Sequence, residues 1–143
     1  MARYFTLKEL LQSETATEKG IDNTPTFEIV DHLKELTEKI LDPLRDAWGA
    51  PLVINSGYRC DALNKAVGGS KTSAHLTGYA ADIRPSDSRR TAKFIIFANS
   101  WLIEHNVAFD QSIDEQSAGV KWLHIAVRNV EGKQRKQFLT IHK

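Results

Sequence analysis

Ser73-Ala74-His75-Leu76-Thr77-Gly78-Tyr79-Ala80-Ala81-Asp82 is the stretch on which the fold turns. It reads as a loop running into a strand, Tyr79–Ile83. A histidine and an aspartate stand seven apart with Gly78 between them, and glycine lets the backbone turn so that both side chains converge. Asp82 lies among Ala80, Ala81 and Ile83. A carboxylate there must be paired or metal-bound, because burying it alone is very costly. Spacing leaves both readings open: a metal ligand, or a structural ion pair with Arg84 or Arg59.

Upstream, a short strand Leu52–Asn55 leads into a long loop, residues 56–74, with Gly57, Gly68 and Gly69 and a helical turn around Ala62–Val67. Long loops inside compact domains are usually functional. Before them, residues 25–48 carry Ile29, Leu33, Leu36, Ile40, Leu44 and Trp48 at the helical period. Thr24 is the expected N-cap and Pro25 the first helical residue. Pro43 is expected to kink or restart this helix, and Gly49 to stop it. Residues 1–25 read as a polar lead-in with one short helix, in which Thr6 and Glu9 make a capping box.

Downstream, Ser86 is expected to cap a second long helix over residues 87–105. Three strand-like runs follow, Phe109–Ile113, Lys121–Val127 and Gln137–Ile141, read as an antiparallel meander. Helices first and strands last predict an α+β fold: two main helices on a small, mostly antiparallel sheet. The chain has 143 residues, enough for one domain, read as a lead-in (1–25) and a core (26–143).

Composition excludes several classes. With 19 basic against 18 acidic residues and a net charge of +1, no basic face for nucleic acid is expected. No apolar run approaches the roughly 18 residues that span a bilayer, and no signal peptide is visible at the N-terminus. The one cysteine, Cys60, excludes an internal disulfide and a cysteine-rich zinc site. A cysteine hydrolase built on Cys60 beside Arg59 lacks a histidine in a telling relation to it. The run Lys133-Gln134-Arg135-Lys136 reads as a solvated turn.

Five histidines occur. His32, His105 and His142 read as surface residues. His124, in Trp122-Leu123-His124-Ile125-Ala126-Val127, sits in an alternating strand and needs partners for its ring nitrogens. Taken alone it reads as a core histidine. Taken with His75 and Asp82 it completes two nitrogens and one oxygen, a familiar catalytic zinc donor set with an open position.

Ser56-Gly57-Tyr58-Arg59, Asn64, Val67-Gly68-Gly69, Ser73-x-His75-x-x-Gly78-x-Ala80-x-Asp82 and Trp122-x-His124 together resemble the zinc D-Ala-D-Ala carboxypeptidase family. That family includes the vancomycin-resistance D,D-dipeptidases and the phage L-alanyl-D-glutamate endolysins, and it shares its fold with the Hedgehog signalling domain. The lead-in is similar to a carboxypeptidase-like branch. The resemblance implies a Zn2+-dependent metallopeptidase acting on peptidoglycan stem peptides, with His75, Asp82 and His124 as the metal ligands. It implies substrate contacts from Arg59, Ser73 and Tyr58, with Arg59 also stabilising the oxyanion.

The general base departs from the pattern. The dipeptidase and endolysin branches carry an acid three positions before the last zinc histidine, where this chain has Lys121. The run Phe109-Asp110-Gln111-Ser112-Ile113-Asp114-Glu115 offers replacements. Glu115 is the expected base, with Asp110 and Asp114 behind it. Phe109, Gln111, Ile113 and Glu115 are expected on one face of that strand. The other reading is a weak or inactive cell-wall-binding module of the same fold. A monomer acting at the bacterial cell wall is expected, held in the cytoplasm until release if phage- or prophage-encoded.

Overall fold

The computed structural model describes residues 3–143. The lead-in forms two short helices rather than one. Helix α1, Leu7–Leu11, starts on the expected Thr6/Glu9 capping box. Helix α2, Glu14–Lys19, is capped by Ser13 and closed by Gly20 in the left-handed region. The lead-in is tied down further on: the Arg3 and Tyr4 amides donate to the buried Asp42 carboxylate at 2.7 and 3.2 Å.

The first long helix starts later than the sequence reading placed it. Helix α3 spans Phe27–Leu36 and its cap is Thr26, whose hydroxyl accepts from the Ile29 amide. Thr24 is engaged with Asp22 instead, giving it both its amide and its hydroxyl proton. One π turn, Thr37–Leu41, then joins α3 to α4, Asp42–Trp48. Pro43 explains the widening. It has no N–H to give to the preceding turn, and its ring would crowd the carbonyl four residues back. The helix therefore restarts at Pro43 instead of breaking. Gly49 ends it with φ +77°.

The sheet has five strands: β1 Leu52–Ser56, β2 Ala80–Pro85, β3 Gln111–Ser117, β4 Val120–Ala126 and β5 Gln137–His142. Their order is β1-β2-β4-β3-β5. All pairs are antiparallel except β3 with β5, which is parallel. This corrects the meander. The β3–β4 hairpin turns at Ala118-Gly119 and slots β4 against β2, so both edges of β4 are taken. The returning chain reaches only the outer edge of β3, and it arrives there parallel. Arg135 fastens this return with two side-chain bonds to the buried Asp110, both 2.8 Å. The basic run is solvent-exposed as expected, but within it Arg135 also serves as an anchor.

One sheet face, through Ala81, Ile83, Leu123 and Ile125, packs on Leu33, Leu36, Ile40 and Leu44 of the first helical arm. It also packs on Phe94, Ala98 and Leu102 of α6, Thr91–Glu104. That helix is preceded by a 3-10 turn capped by Asp87, not by Ser86. The observed architecture is the expected α+β fold. The opposite sheet face is left to carry polar residues, and the site is built there. Helix α5, Asp61–Ala66, and a 3-10 turn, Ala74–Thr77, give the long loop its order.

Candidate metal centre

Register brings the strand residues together. Asp82 on β2 lies opposite His124 on β4, and residues directly opposite share a face. His75 comes from the 3-10 turn Ala74–Thr77. Ser73 caps that turn by accepting from the His75 amide at 3.2 Å, and Gly78 closes it at φ +78°. His32 also holds the turn. Its Nδ1–H donates to the Thr77 carbonyl at 2.6 Å, and its ring stacks on Tyr79 at 4.0 Å. His32 is therefore no plain surface residue. His105 and His142 are exposed as expected.

The Asp82 Oδ1 lies 3.1 Å from His75 Nε2 and 2.9 Å from His124 Nδ1. One ligand atom from each of the three residues lies within 4.8 Å of the others, and all three residues are buried. The donor chemistry fits a cation. The Gly57 carbonyl, 2.7 Å from His75 Nδ1, only accepts, so that nitrogen carries a proton. In neutral His75 the Nε2 lone pair then faces a carboxylate oxygen, an arrangement that a positive charge between them resolves. A backbone carbonyl fixing the tautomer of a ligating histidine is the usual outer support of a metal site.

Electrostatics agree. Burial opposes ionisation of Asp82, but the two histidines outweigh it and hold the carboxyl well below the usual range. Burial pushes His75 down towards its neutral form, against the pull of Asp82. Burial also opposes charge on His124, yet its hydrogen bond and attraction to Asp82 raise it overall.

Arg59 reaches the same carboxylate, with Nη2 3.5 Å from Asp82 Oδ2. Its Nε donates to Ser56 Oγ at 3.1 Å and its Nη1 to Asn64 Oδ1 at 3.2 Å. Asn64 is buried and donates in turn to the Ser70 carbonyl at 2.9 Å. A Cβ on Gly69 would stand 2.0 Å from Asn64 Oδ1, so a side chain there would push Asn64 out of this frame. This frame for Arg59, Ser56 and Asn64 together, was not legible as such in the sequence. Burial lowers the Arg59 pKa and Asp82 and Glu115 only partly oppose it, yet a guanidinium stays charged.

Glu115 faces the site. Its register partner is Trp122, two residues from His124 on the same face. Burial, then the Asp82 charge, pushes its pKa up. Among the described residues its side chain has no hydrogen bond or ion pair. The two acids behind it are engaged elsewhere: Asp110 by Arg135, and Asp114 by Lys121 at 2.6 Å and His142 at 3.2 Å. Phe109 departs from the expected face. It precedes β3 and its ring lies 5.1 Å from that of Phe138, which pairs with Ser112 on the core side.

Lys121 matters less than the sequence reading made it. Its neighbours Val120 and Trp122 show regular pairing, so it points to the face opposite His124. Lys121→Ala is expected to leave metal content and activity within about twofold and to cost up to ~1 kcal/mol from its bridge to Asp114. Metal analysis and urea unfolding of the variant check this.

His75, Asp82, His124, Ser73, Arg59 and Glu115 all line one cleft of about 470 Å3. Trp122 lines it too, and its buried indole N–H has no partner among the described residues. Tyr58 does not. It lines a neighbouring cleft of about 600 Å3, which shares Arg59 and Val67 with the first. Cys60 is a free thiol whose amide donates to Asn23 Oδ1.

A buried two-nitrogen, one-oxygen donor set in an open cleft is the arrangement of mononuclear metallohydrolases. The peptidase M15 family model matches residues 3–118. The protein belongs to this family of metallopeptidases. The matched stretch holds Arg59, His75, Asp82 and Glu115, and His124 lies beyond it. No curated protein matches the chain significantly. Among the described residues no helix is long and apolar enough to cross a membrane.

Proposed function

We propose that this protein is a zinc-dependent peptidase that hydrolyses a D-amino-acid-containing bond of peptidoglycan stem peptides, in the manner of the D-Ala-D-Ala carboxypeptidases. The convergence of His75, Asp82 and His124 on one point carries the reading. Family membership supports the peptidase chemistry. The open cleft with an always-charged arginine at its wall supports a substrate with planar oxygens.

His75, Asp82 and His124 would hold the ion. Bound zinc supplies Lewis acidity and makes water acidic enough to deprotonate near neutral pH. Glu115, unpartnered on the same face, accepts the proton of the attacking water and passes it to the leaving amine. Its raised pKa brings it closer to the range in which it can do both. Arg59 has three of its N–H groups directed to Ser56, Asn64 and Asp82. The other two are left to stabilise the carbonyl oxygen as it gains charge. Ser73, as the cap of the His75 turn, keeps that ligand in place.

Zinc-loaded protein is expected to release a defined product from a stem pentapeptide ending in D-Ala-D-Ala. Glu115→Gln is expected to lower kcat at least ~100-fold, the low end of general acid–base contributions, with zinc content and thermal midpoint unchanged. Full activity in that variant would remove Glu115 from the mechanism. Peptide binding by zinc-loaded wild type without any cleavage would instead favour a cell-wall-binding module.

A further inference from the structure

The cleft beside the metal-bearing one has a feature that the chemistry above leaves unused. Its wall is the whole of β1, Leu52–Ser56, faced by the Gln12–Thr15 segment that leads into α2. β1 is an edge strand and, among the described residues, pairs only with β2.

The direction of its backbone groups follows from one bond. The Ser86 amide donates to the Pro51 carbonyl at 3.0 Å, which makes Pro51 and Ser86 a hydrogen-bonded pair. Such pairs alternate along antiparallel strands. Val53 and Arg84 are therefore the next bonded pair, and Leu52 and Ile54 turn their N–H and C=O groups away from β2. Among the described residues nothing else bonds to those groups. They form a short row of donors and acceptors along a cleft of about 600 Å3, within the usual size of a ligand site.

The row leads to the metal centre. Ser56 ends β1 opposite Asp82, and its hydroxyl accepts from Arg59. Arg59 is common to both clefts. A chain paired with β1 and leaving at Ser56 enters the neighbourhood of His75, Asp82 and His124 directly.

We propose that the outer edge of β1 is a second part of the substrate site, where the peptide on one side of the scissile bond adds to the sheet as an extended strand. Main-chain bonds to Leu52 and Ile54 supply the grip, as in other cases of strand addition. Arg59 marks the junction between strand pairing and bond cleavage. The substrate class is thereby narrowed to peptides extended beyond the cut bond on that side. This proposal rests on the peptidase reading for its substrate, and its test separates the two.

Amide hydrogen exchange of the metal-loaded wild type is measured with and without a synthetic stem pentapeptide. Leu52 and Ile54 are expected to slow at least tenfold on binding, with Val53 little changed. In parallel, Thr15→Trp narrows the cleft from its far wall. Its KM is expected to rise at least tenfold for the pentapeptide and less than twofold for the shortest truncation that wild type still cleaves. Its metal content is expected to be unchanged. Cleavage of the pentapeptide without protection of Leu52 and Ile54 overturns the strand site and leaves the peptidase reading intact. Protection without cleavage supports the strand site and overturns the hydrolase. An equal KM change for long and short peptides also overturns the strand site, as does the absence of both protection and cleavage.

Discussion

Asp82→Ala will remove both metal binding and hydrolysis, and it will destabilise the metal-free protein as well. Asp82 is the one anion among the three donors. Its Oδ1 serves both histidines and its Oδ2 stands near Arg59. Deleting it leaves two imidazoles to hold a divalent ion, with a partly buried guanidinium alongside and no counter-charge from Asp82. Changing an outer support of a metal site already costs about 10–100-fold in affinity. Losing a ligand is expected to exceed ~100-fold, read by competition with a chromophoric chelator. Removing one partner of a buried ion pair costs about 3–5 kcal/mol, read by urea unfolding of the apo forms.

The pH dependence of the metal-free wild type carries the same signature. A carboxyl whose folded pKa is depressed contributes stability that is present above its unfolded value and is lost as pH falls towards the folded one. His75, held neutral by burial, adds to the loss, because the unfolded chain takes up a proton that the folded chain resists. Apo wild type is expected to lose stability steadily on acidification below about pH 6, the range in which a free histidine charges. Asp82→Ala is expected to remove the part of that slope lying below about pH 4. An identical slope below pH 4 in both proteins would refute the assignment.

Gly57→Ala is the second large effect expected, and it is steric. A Cβ at Gly57 would meet the Leu10 carbonyl oxygen at 2.2 Å and its carbon at 2.9 Å. Both are backbone atoms of α1, so neither can swing aside. The same α1 carbonyl accepts from the Tyr58 amide at 2.8 Å, which holds loop and helix together. Overpacking of this kind costs up to about 3 kcal/mol, occasionally more. For a chain of this size that corresponds to a fall of about 10 °C in thermal midpoint. The loss extends to the site, because the Gly57 carbonyl fixes the proton on His75. A fall in zinc affinity is therefore expected with the fall in stability. Gly119→Ala is the matched control. Its Cβ would meet nothing within 4 Å, so only the left-handed backbone is penalised, by about 1 kcal/mol, with zinc affinity unchanged.

The parts of this molecule legible in sequence were those governed by short-range pattern. The alternation around His124, the apolar company of Asp82 and the helical spacing of Leu33, Leu36, Ile40 and Leu44 all report burial directly. They placed Asp82 and His124 in the interior and outlined the first helical arm. What stayed hidden depends on pairings between distant segments. Nothing local says that Arg135 closes on Asp110, twenty-five residues away, or that β5 joins β3 in parallel. The face of Lys121 needed the register of β3 with β4. His32 looked solvated because the helix it lies on is polar there. Its partners, Thr77 and Tyr79, come from another part of the chain. The π turn had a visible cause in Pro43, but a proline can also kink or end a helix, and sequence alone does not choose between them.

The placement of β4 in the middle of the sheet has a consequence for biosynthesis. Ribosomes deliver the chain from its N-terminus, so β1, β2 and β3 emerge while the slot between β2 and β3 has nothing to fill it. His124 rides on the strand that fills this slot, and a nascent chain shorter than that can assemble at most two of the three donors. Protein caught at that stage would expose two raw strand edges, the kind of surface that invites intermolecular pairing. Synthesis of β4 thus governs both escape from aggregation and the first moment at which His75, Asp82 and His124 can assemble.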